Sequence, residues 1–324
     1  MAVRIGFIGT GGIAQMHMRN LQRIPDAQVV GMYDVAPDRA RSAAALFPGC
    51  QVHDSHQALL QAKPDAVYVC VPPYAHDQQE LDTAAAGVHL FVEKPIAVTM
   101  EKAREIDAAV KRAGIIAAVG YNWRWLDITD RTVALLQDRP IALALGYWLG
   151  GMPGVSWWRR KDQSGGQIVE QTTHIFDLAR YLLGEVETVY AAGYQGLMTD
   201  VPDYSTEDAS SVTLKFASGT VAVINSTDVL PTGAGKVGMD LMGRDFRLVH
   251  DNRTLTVYGK GERTTYDAQM DPYLLEDQTF VAAVASGDAS ALRSTYSDAV
   301  KTHLVTMAAN RSLETGQVEK VAAY

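Results

Sequence analysis

Apolar and polar positions alternate in blocks along the first 120 residues. Short apolar runs of strand length are separated by segments whose apolar residues lie three or four positions apart, as in amphipathic helices. The apolar runs are VRIGFI at 3–8, AQVVGMYD at 27–34, DAVYVCV at 65–71, VHLFV at 88–92 and IIAAVG at 115–120. This alternation predicts a doubly wound parallel sheet with helices on both faces.

The pattern changes in the second half of the chain. Apolar residues alternate with polar ones in five runs, and Gly, Asp or Asn separates the runs: SSVTLKF, TVAVINST, VGMDLMG, FRLVHD and TLTVYG, within residues 205–265. Helical periodicity returns over 272–316. The expected fold is α/β, with a Rossmann domain over 1–121 and an α+β domain with a large, mostly antiparallel open sheet over 122–324.

Composition narrows the classes of function. The chain has 324 residues and a formal charge of -8 without a basic cluster, which disfavours nucleic acid as a partner. Cys50 and Cys70 are the only cysteines, so a disulfide framework is excluded and a reducing cytoplasm is expected. The N-terminus MAVRIGFIGTGG is apolar for only a few residues, so neither a signal peptide nor a membrane span is expected.

The first apolar run ends in a glycine-rich turn of the type G-x-G-x-x-A. Gly9 permits the tight turn, Gly11 lets the backbone approach a pyrophosphate, and Ala14 lets helix and strand pack closely. Gly12 and Ile13 open the helix, whose N–H groups can bind phosphate. Taken alone this pattern is often an ordinary turn, but its place between strand and helix favours dinucleotide binding.

An acidic residue closes the second strand. Asp34 follows Ala14 by 20 residues, where it can accept hydrogen bonds from an adenosine ribose and would repel a 2′-phosphate. NAD is therefore expected in preference to NADP, although Arg39 and Arg41 lie close enough to soften that preference. The alternative is an Asx turn at the strand end.

Five further stretches carry a resemblance to a known family: VPPYAH at 71–76, VEKP at 92–95, GYNWRW at 120–125, GGQIVEQTTH at 165–174 and SVTLKFASGTVAVINS at 211–226. The chain resembles the Gfo/Idh/MocA family of glucose-fructose oxidoreductase and inositol dehydrogenase relatives over nearly its whole length. The resemblance implies a sugar, sugar derivative or cyclic polyol as substrate. It also implies a homodimer or homotetramer formed through the C-terminal sheet.

The resemblance also implies the catalytic residues. Lys94 matches the family's E-K-P lysine and His174 its histidine, whereas Glu170 stands where the family usually has aspartate. Oxidation of a secondary alcohol needs a base within hydrogen-bond reach of the hydroxyl. We expect His174 to take the proton, Glu170 to orient its imidazole, and Lys94 to bind the reacting oxygen. Lys94 itself is the alternative proton acceptor, and the bland alternative is a solvated helical pair of Glu170 and His174.

Other contacts follow from the same resemblance. The expected cofactor contacts beyond the glycine turn, Asp34 and Lys94 are Pro72, His76, Glu93, Asn122, Trp158 and Arg159. The expected substrate contacts beyond Lys94, Glu170 and His174 are Tyr121, Arg124 and Trp157. His76 could equally be a polar residue near a helix N-terminus, and tryptophans serve cores as readily as sugar binding. Gly165 and Gly166 are expected to let the backbone turn close to the substrate.

Rival functions remain open at this level. No H-E-x-x-H motif is present, so no metal is expected. A dinucleotide-binding regulator that has lost its chemistry is the main alternative to an NAD-dependent dehydrogenase. A reductase of imines or tetrapyrroles is a third reading. The presence of both Lys94 and His174 favours the dehydrogenase.

Overall fold

The computed structural model describes residues 2–324, and within these residues the strands form two sheets. The first sheet is parallel, with the spatial order β3-β2-β1-β4-β5-β6. Its strands are β1 (Val3–Ile8), β2 (Ala27–Tyr33), β3 (Gln51–Val52), β4 (Ala66–Val69), β5 (His89–Val92) and β6 (Ala117–Val119). The order reverses between β1 and β4, and ligands of such sheets bind at the carboxyl ends of the strands at this point.

The second sheet is mixed and mostly antiparallel, with the order β14-β13-β12-β11-β7-β10-β9-β8-β15. Its strands are β7 (Ile141–Leu149), β8 (Val186–Tyr194), β9 (Ala209–Phe216), β10 (Val221–Thr227), β11 (Lys236–Gly243), β12 (Phe246–His250), β13 (Thr254–Tyr258), β14 (Arg263–Asp267) and β15 (Glu319–Lys320). Within this second sheet, β7 and β10 form the only parallel pair among the described residues. The predicted fold class is confirmed by both sheets.

The helices follow the predicted alternation in the first part of the chain. They are α1 (Gly12–Leu21), α2 (Pro37–Ala44), α3 (His56–Gln61), α4 (Gln78–Ala85), α5 (Met100–Ala113), α6 (Asp127–Leu136), α7 (Lys161–Ser164), α8 (Gln167–Glu170), α9 (Thr173–Leu183), α10 (Pro272–Ser286) and α11 (Tyr296–Thr315). In the described residues, no helix combines the length and the apolar character that crossing a bilayer requires.

The chain divides into two units. Unit 1 comprises residues 2–97, Glu101–Asn122 and Asp271–Val300, and unit 2 comprises Val98–Met100, Trp123–Met270 and Lys301–Tyr324. In unit 1, Ala14 is fully buried and packs with Ile5 and Phe7, which fits its predicted role in close packing of helix and strand. In unit 2, Ile175 and Phe176 of α9 belong to the core cluster of the second sheet.

Residues 271–300 differ from the predicted division, which assigned them to the second domain. Helix α10 belongs to unit 1, where Phe280 makes edge contacts with Tyr68 and Phe91 at ring-centroid distances of 5.5 and 5.4 Å. Helical periodicity shows that α10 has a buried side, but it does not show which sheet that side covers. The boundary between residues 121 and 122 stays a prediction.

Candidate active site

The glycine turn after β1 leads directly into α1. Gly9 has a φ of +86°, and a Cβ there would lie 2.3 Å from the carbonyl oxygen of Cys70, so only glycine fits. By contrast, a Cβ at Gly11 or Gly12 would meet no atom within 4 Å. Gly11 is the N-cap of α1, and no side chain caps this helix. Its first N–H groups and the space beside them therefore fit the pyrophosphate of a dinucleotide.

Asp34 lies just beyond β2 and is buried. Its Oδ2 accepts hydrogen bonds from the backbone N–H and the hydroxyl of Thr10 at 2.8 and 2.9 Å, and its Oδ1 accepts one from the Ala36 N–H at 2.8 Å. The hydrogen bond from Ala36 closes an Asx turn, so the alternative role considered for Asp34 is present in the structure. The bonds to Thr10 also tie the carboxylate to the glycine turn. Each carboxylate oxygen offers about two acceptor positions, so ribose binding by Asp34 stays a prediction that these bonds permit.

The loop after β4 places a histidine against a buried carboxylate. Pro72 precedes a 3₁₀ turn over Pro73–Ala75, and His76 follows it. His76 Nδ1 lies 2.5 Å from Oε1 of Glu80, and both side chains are fully buried. Nε2 of His76 is also buried and has no hydrogen-bond partner within residues 2–324. Such an atom is a candidate for binding a ligand hydroxyl or amide.

Glu93 of the E-K-P motif is buried, and its carboxylate is occupied by protein groups. Oε1 lies 2.9 Å from Nε2 of His17, and Oε2 accepts the backbone N–H of Lys94 at 3.1 Å. This location differs from the predicted cofactor contact, because the carboxylate is turned toward other side chains of unit 1. Lys94 is half-buried and is joined to Pro95 by a cis peptide bond.

The predicted ligand contacts in the GYNWRW stretch belong to different units of the chain. Tyr121 and Asn122 are buried in unit 1, and Asn122 Oδ1 has no hydrogen-bond partner in the described part of the chain. Arg124 lies in unit 2, where Nε and Nη2 donate to the two carboxylate oxygens of Asp177 at 2.7 and 2.6 Å. This buried bidentate pair gives Arg124 a structural partner, so its location does not support the predicted contact with substrate.

The GGQIVEQTTH segment is not one helix. Glu170 ends α8 and His174 lies in the first turn of α9, with Gln171 and Thr172 between the two helices. The bland alternative, a solvated pair on one helix, is therefore not supported, because the two residues lie on separate helices. A count of four residues gives their spacing along the chain but does not detect the break between short helices.

The two glycines of this segment have a local reason. Gly165 and Gly166 have φ values of +79° and +85°. A Cβ on Gly165 would lie 2.8 Å from Cγ1 of Val169, and one on Gly166 would lie 3.2 Å from Oε2 of Glu207. Left-handed backbone and contact with the protein itself therefore account for both glycines, in place of the predicted approach to substrate.

Two tryptophans hold the acid and the histidine. The indole Nε1 of Trp158 donates to Oε2 of Glu170 at 2.7 Å, and Trp158 is fully buried. The His174 ring stacks on Trp148 with a centroid distance of 5.6 Å and an interplanar angle of 17°. His174 itself is 7% exposed. A hydrogen bond thus holds the acid, and a ring face holds the histidine.

The remaining predicted contacts near these residues differ in exposure. Trp157 is half-buried, so it keeps surface for a sugar ring, whereas fully buried Trp158 has no free face. Arg159 is half-buried, and its Nε is buried without a hydrogen-bond partner in residues 2–324. The predicted roles of Trp157 and Arg159 stay predictions.

Sequence reasoning missed several residues that support the site. Trp148 is absent from the predicted site, because the strand β7, IALALGYWL, is not among the predicted strands. His17, Glu80 and Asp277 gave no signal, because their partners lie on other elements or form an ordinary i, i+4 pair. In the described residues, no group of three or more His, Cys, Asp or Glu side chains has an arrangement that could hold a metal ion.

Comparison with known proteins decides the family. Residues 3–121 match the family model described as an oxidoreductase family with an NAD-binding Rossmann fold. Residues 141–261 match the model of the GFO/IDH/MocA C-terminal domain. The chain belongs to the Gfo/Idh/MocA family. The predicted family and the predicted NAD cofactor are confirmed by these matches.

Individual relatives agree with this membership. The myo-inositol 2-dehydrogenase of Thermotoga maritima is 30% identical, over 96% of this chain and 96% of its own. The D-glucoside 3-dehydrogenase of Escherichia coli is 29% identical, over 70% of this chain and 71% of its own. The structure of levoglucosan dehydrogenase in complex with NADH and levoglucosan has a TM-score of 0.89 at 19% identity, covering 100% of both chains. That last likeness is one of fold.

Asp34→Ser is expected to narrow the preference for NAD over NADP by at least about tenfold, because removing the carboxylate removes its repulsion of the 2′-phosphate. Arg39, whose Nη2 lies 3.7 Å from Asp34 Oδ1, then faces the phosphate without competition. The readout is the ratio of the dissociation constants for NADP and NAD. A ratio is needed because loss of the hydrogen bonds between Asp34 and Thr10 weakens the binding of both cofactors. Asp38→Ser, which removes an exposed carboxylate from the same helix region, should leave the ratio unchanged. An unchanged ratio in Asp34→Ser would exclude Asp34 as the discriminating residue.

Proposed function

We propose that this protein is an NAD-dependent dehydrogenase that oxidises a secondary alcohol of a sugar, sugar derivative or cyclic polyol, with Lys94 and His174 as the acid/base pair. The observation that carries the proposal is the buried His174 ring stacked on Trp148, four residues after a glutamate that Trp158 holds by a 2.7 Å hydrogen bond. This arrangement occurs in a chain whose family binds NAD. The named dehydrogenases of inositol and glucoside among its relatives support the substrate class.

The chemistry assigned to the side chains is a proton transfer. His174 takes the proton of the substrate hydroxyl, since imidazole changes charge near neutral pH. Stacking on Trp148 restricts rotation of the ring, so less ordering is needed when substrate binds. The charge of Glu170 stabilises the imidazolium that forms, and Lys94 hydrogen-bonds the reacting oxygen. When the carbonyl is reduced instead, His174 returns the proton.

Residues of unit 1 would hold the cofactor. The uncapped N-terminus of α1 would bind the pyrophosphate, and Asp34 would bind the adenosine ribose. His76 Nε2 and Asn122 Oδ1, both buried and without protein partners among the described residues, offer two further acceptors. Bound NAD would supply the acceptor for the hydride.

The proposal is tested with a panel of monosaccharides, inositols and anhydrosugars, each incubated with NAD and, separately, with NADP. Absorbance of the reduced nicotinamide is the readout. We expect reduced cofactor with NAD and at least one polyol or sugar. If the protein binds NAD but reduces it with no member of the panel, and oxidises NADH with none of the corresponding ketones, it is a dinucleotide-binding regulator.

We further propose that unit 2 forms the contact of a homodimer or homotetramer through one face of its sheet. Leu143 and Val221 pair on neighbouring strands, and the register through β9 places Tyr190 on the same face. These side chains are 36%, 39% and 44% exposed, respectively. Exposed apolar residues grouped on a sheet face favour self-association.

Light scattering tests this proposal. It should give a mass of two or four 35.2 kDa chains, and Leu143→Asp should lower that mass. A monomer at micromolar concentration would refute this part.

A further inference from the structure

A buried group of charged side chains lies behind the E-K-P motif in unit 1. His17 Nδ1 is 2.8 Å from Oδ1 of Asp277, and His17 Nε2 is 2.9 Å from Oε1 of Glu93. The side chains of His17 and Asp277 are fully buried, and that of Glu93 is 5% exposed. We call these three residues the His17 cluster. It joins α1, α10 and the end of β5, three elements that are far apart in the sequence.

The distances fix the charge of the histidine. A neutral imidazole has one N–H donor, so only the imidazolium can donate to both carboxylates. Burial by itself lowers the pKa of His17, but attraction and hydrogen bonds from Asp277 and Glu93 outweigh it and raise the pKa to about 10. Asn20 Nδ2 and the Tyr68 hydroxyl also donate to Asp277, at 2.9 and 3.1 Å. The cluster therefore places one cation between two anions at neutral pH.

The cluster ends at the backbone of Lys94. Oε2 of Glu93 accepts the Lys94 N–H at 3.1 Å, while Oε1 is held by His17. Space fixes the carboxylate as well, because a Cβ on Gly120 would lie 2.5 Å from Glu93 Oε1. The Glu93 carboxylate is thus constrained from three sides, by His17, by the backbone at Gly120, which follows β6, and by the peptide N–H of Lys94.

Packing alone does not explain such a group. Replacing a buried ion triad by apolar residues of similar volume is often neutral or stabilising, so charges in a core serve best where they specify one geometry. The geometry specified here is that of the Lys94 peptide, because its N–H donates to the Glu93 carboxylate.

We propose that His17 and Asp277 are positioning residues for Lys94, which they fix through the Glu93 carboxylate. The inference rests on the proposed function, in which Lys94 contacts the reacting oxygen. A displacement of about 1 Å at a reacting group can cost on the order of 10²-fold in rate. The cluster acts on turnover through that placement, without touching substrate or cofactor itself.

Glu93→Gln is the sharpest test, because it keeps the shape but sets an amide donor against either the Lys94 N–H or the imidazolium. We expect kcat to fall by about 10- to 100-fold with little change in KM for the alcohol. Asp277→Asn, which weakens the other contact of His17, should lower kcat in the same way but less. Gly120→Ala displaces Glu93 without altering any charge and should also lower kcat.

The matched control is Asp107→Asn, which changes another fully buried aspartate of unit 1. Asp107 accepts a hydrogen bond from Ser297 at 2.5 Å and pairs with Lys111, and neither partner belongs to the E-K-P motif. Its kcat should stay within about twofold of the parent. If kcat fell equally in Asp107→Asn and Glu93→Gln, the His17 cluster would contribute only to the stability of the fold, and the inference would be overturned.

A double-mutant cycle separates this inference from the proposed function. If Glu93 acts through Lys94, Glu93→Gln in a Lys94→Ala background costs much less kcat than it does alone. Multiplicative losses would overturn the inference. Full turnover of Lys94→Ala by itself would overturn the role of Lys94 in the proposed function, and the inference with it. An inactive Lys94→Ala beside a fully active Glu93→Gln would overturn the inference alone.

Discussion

His174→Ala is expected to lower kcat by about 10²- to 10⁴-fold, the range for loss of a general acid/base. NAD affinity should stay nearly intact, because the glycine turn and Asp34 that would bind NAD belong to unit 1, while His174 belongs to unit 2. Steady-state kinetics on a substrate from the panel and a separate NAD titration measure the two effects. Glu170→Gln should do less damage, since it removes a charge but leaves the imidazole in place.

The chain offers a matched control for this substitution. His250 is also buried in unit 2 and also stacks on a tryptophan, Trp123, at 5.9 Å. Burial lowers the pKa of His250 to about 4, so it stays neutral at the pH of the assay. His250→Gln should have the same kcat as the parent, provided that the assay is run below the melting temperature of the variant. Near-full turnover of His174→Ala across pH 6 to 9 would show that His174 is only a packed histidine.

His17→Ala is expected to lower the free energy of unfolding by about 3–5 kcal/mol at pH 7, because it leaves Asp277 and Glu93 buried without their cation. The folded pKa of His17 is raised to about 10, against about 6.5 when unfolded. The contribution of His17 to the free energy of unfolding is therefore fully present below pH 6.5 and is lost as pH rises toward 10.

Denaturant unfolding at pH 6, 8 and 10 measures this effect. The parent should lose stability over that range more steeply than His17→Ala, and the gap between them should close near pH 10. His56→Ala, which breaks a partly exposed pair with Asp82, should cost less than about 1 kcal/mol. Parallel pH curves for the parent and His17→Ala would contradict the charge assigned to His17.

The sequence predicted those features that local patterns control. Buried strands of the first sheet read as apolar runs, and the second sheet reads as alternation, since one of its faces is covered by helices such as α9. The glycine at position 9 was predictable because a tight turn demands positive φ. The strand β7 was missed although Pro140 precedes it and Gly150 follows it, because the continuous apolar run IALALGYWL does not alternate, and periodicity alone does not distinguish such a run from a buried helix segment.

Features that depend on distant residues were not predictable in this way. The break between α8 and α9 depends on how both short helices pack, and the Trp158 bond to Glu170 joins a loop to a helix end. Arg124 pairs with Asp177, a residue 53 positions away, so its burial has no local signature. The placement of α10 in unit 1 follows from its packing partners, which periodicity does not identify.

Direct hydride transfer from the substrate carbon to NAD is measured by following an isotope. A substrate found with the panel is prepared with deuterium on the carbon that bears the oxidised hydroxyl, and the reduced cofactor is analysed by mass spectrometry. We expect one deuterium in each molecule of NADH formed, and a slower turnover of Lys94→Ala and His174→Ala with the same labelling. Reduced cofactor without deuterium, or deuterium released into water, would contradict direct hydride transfer.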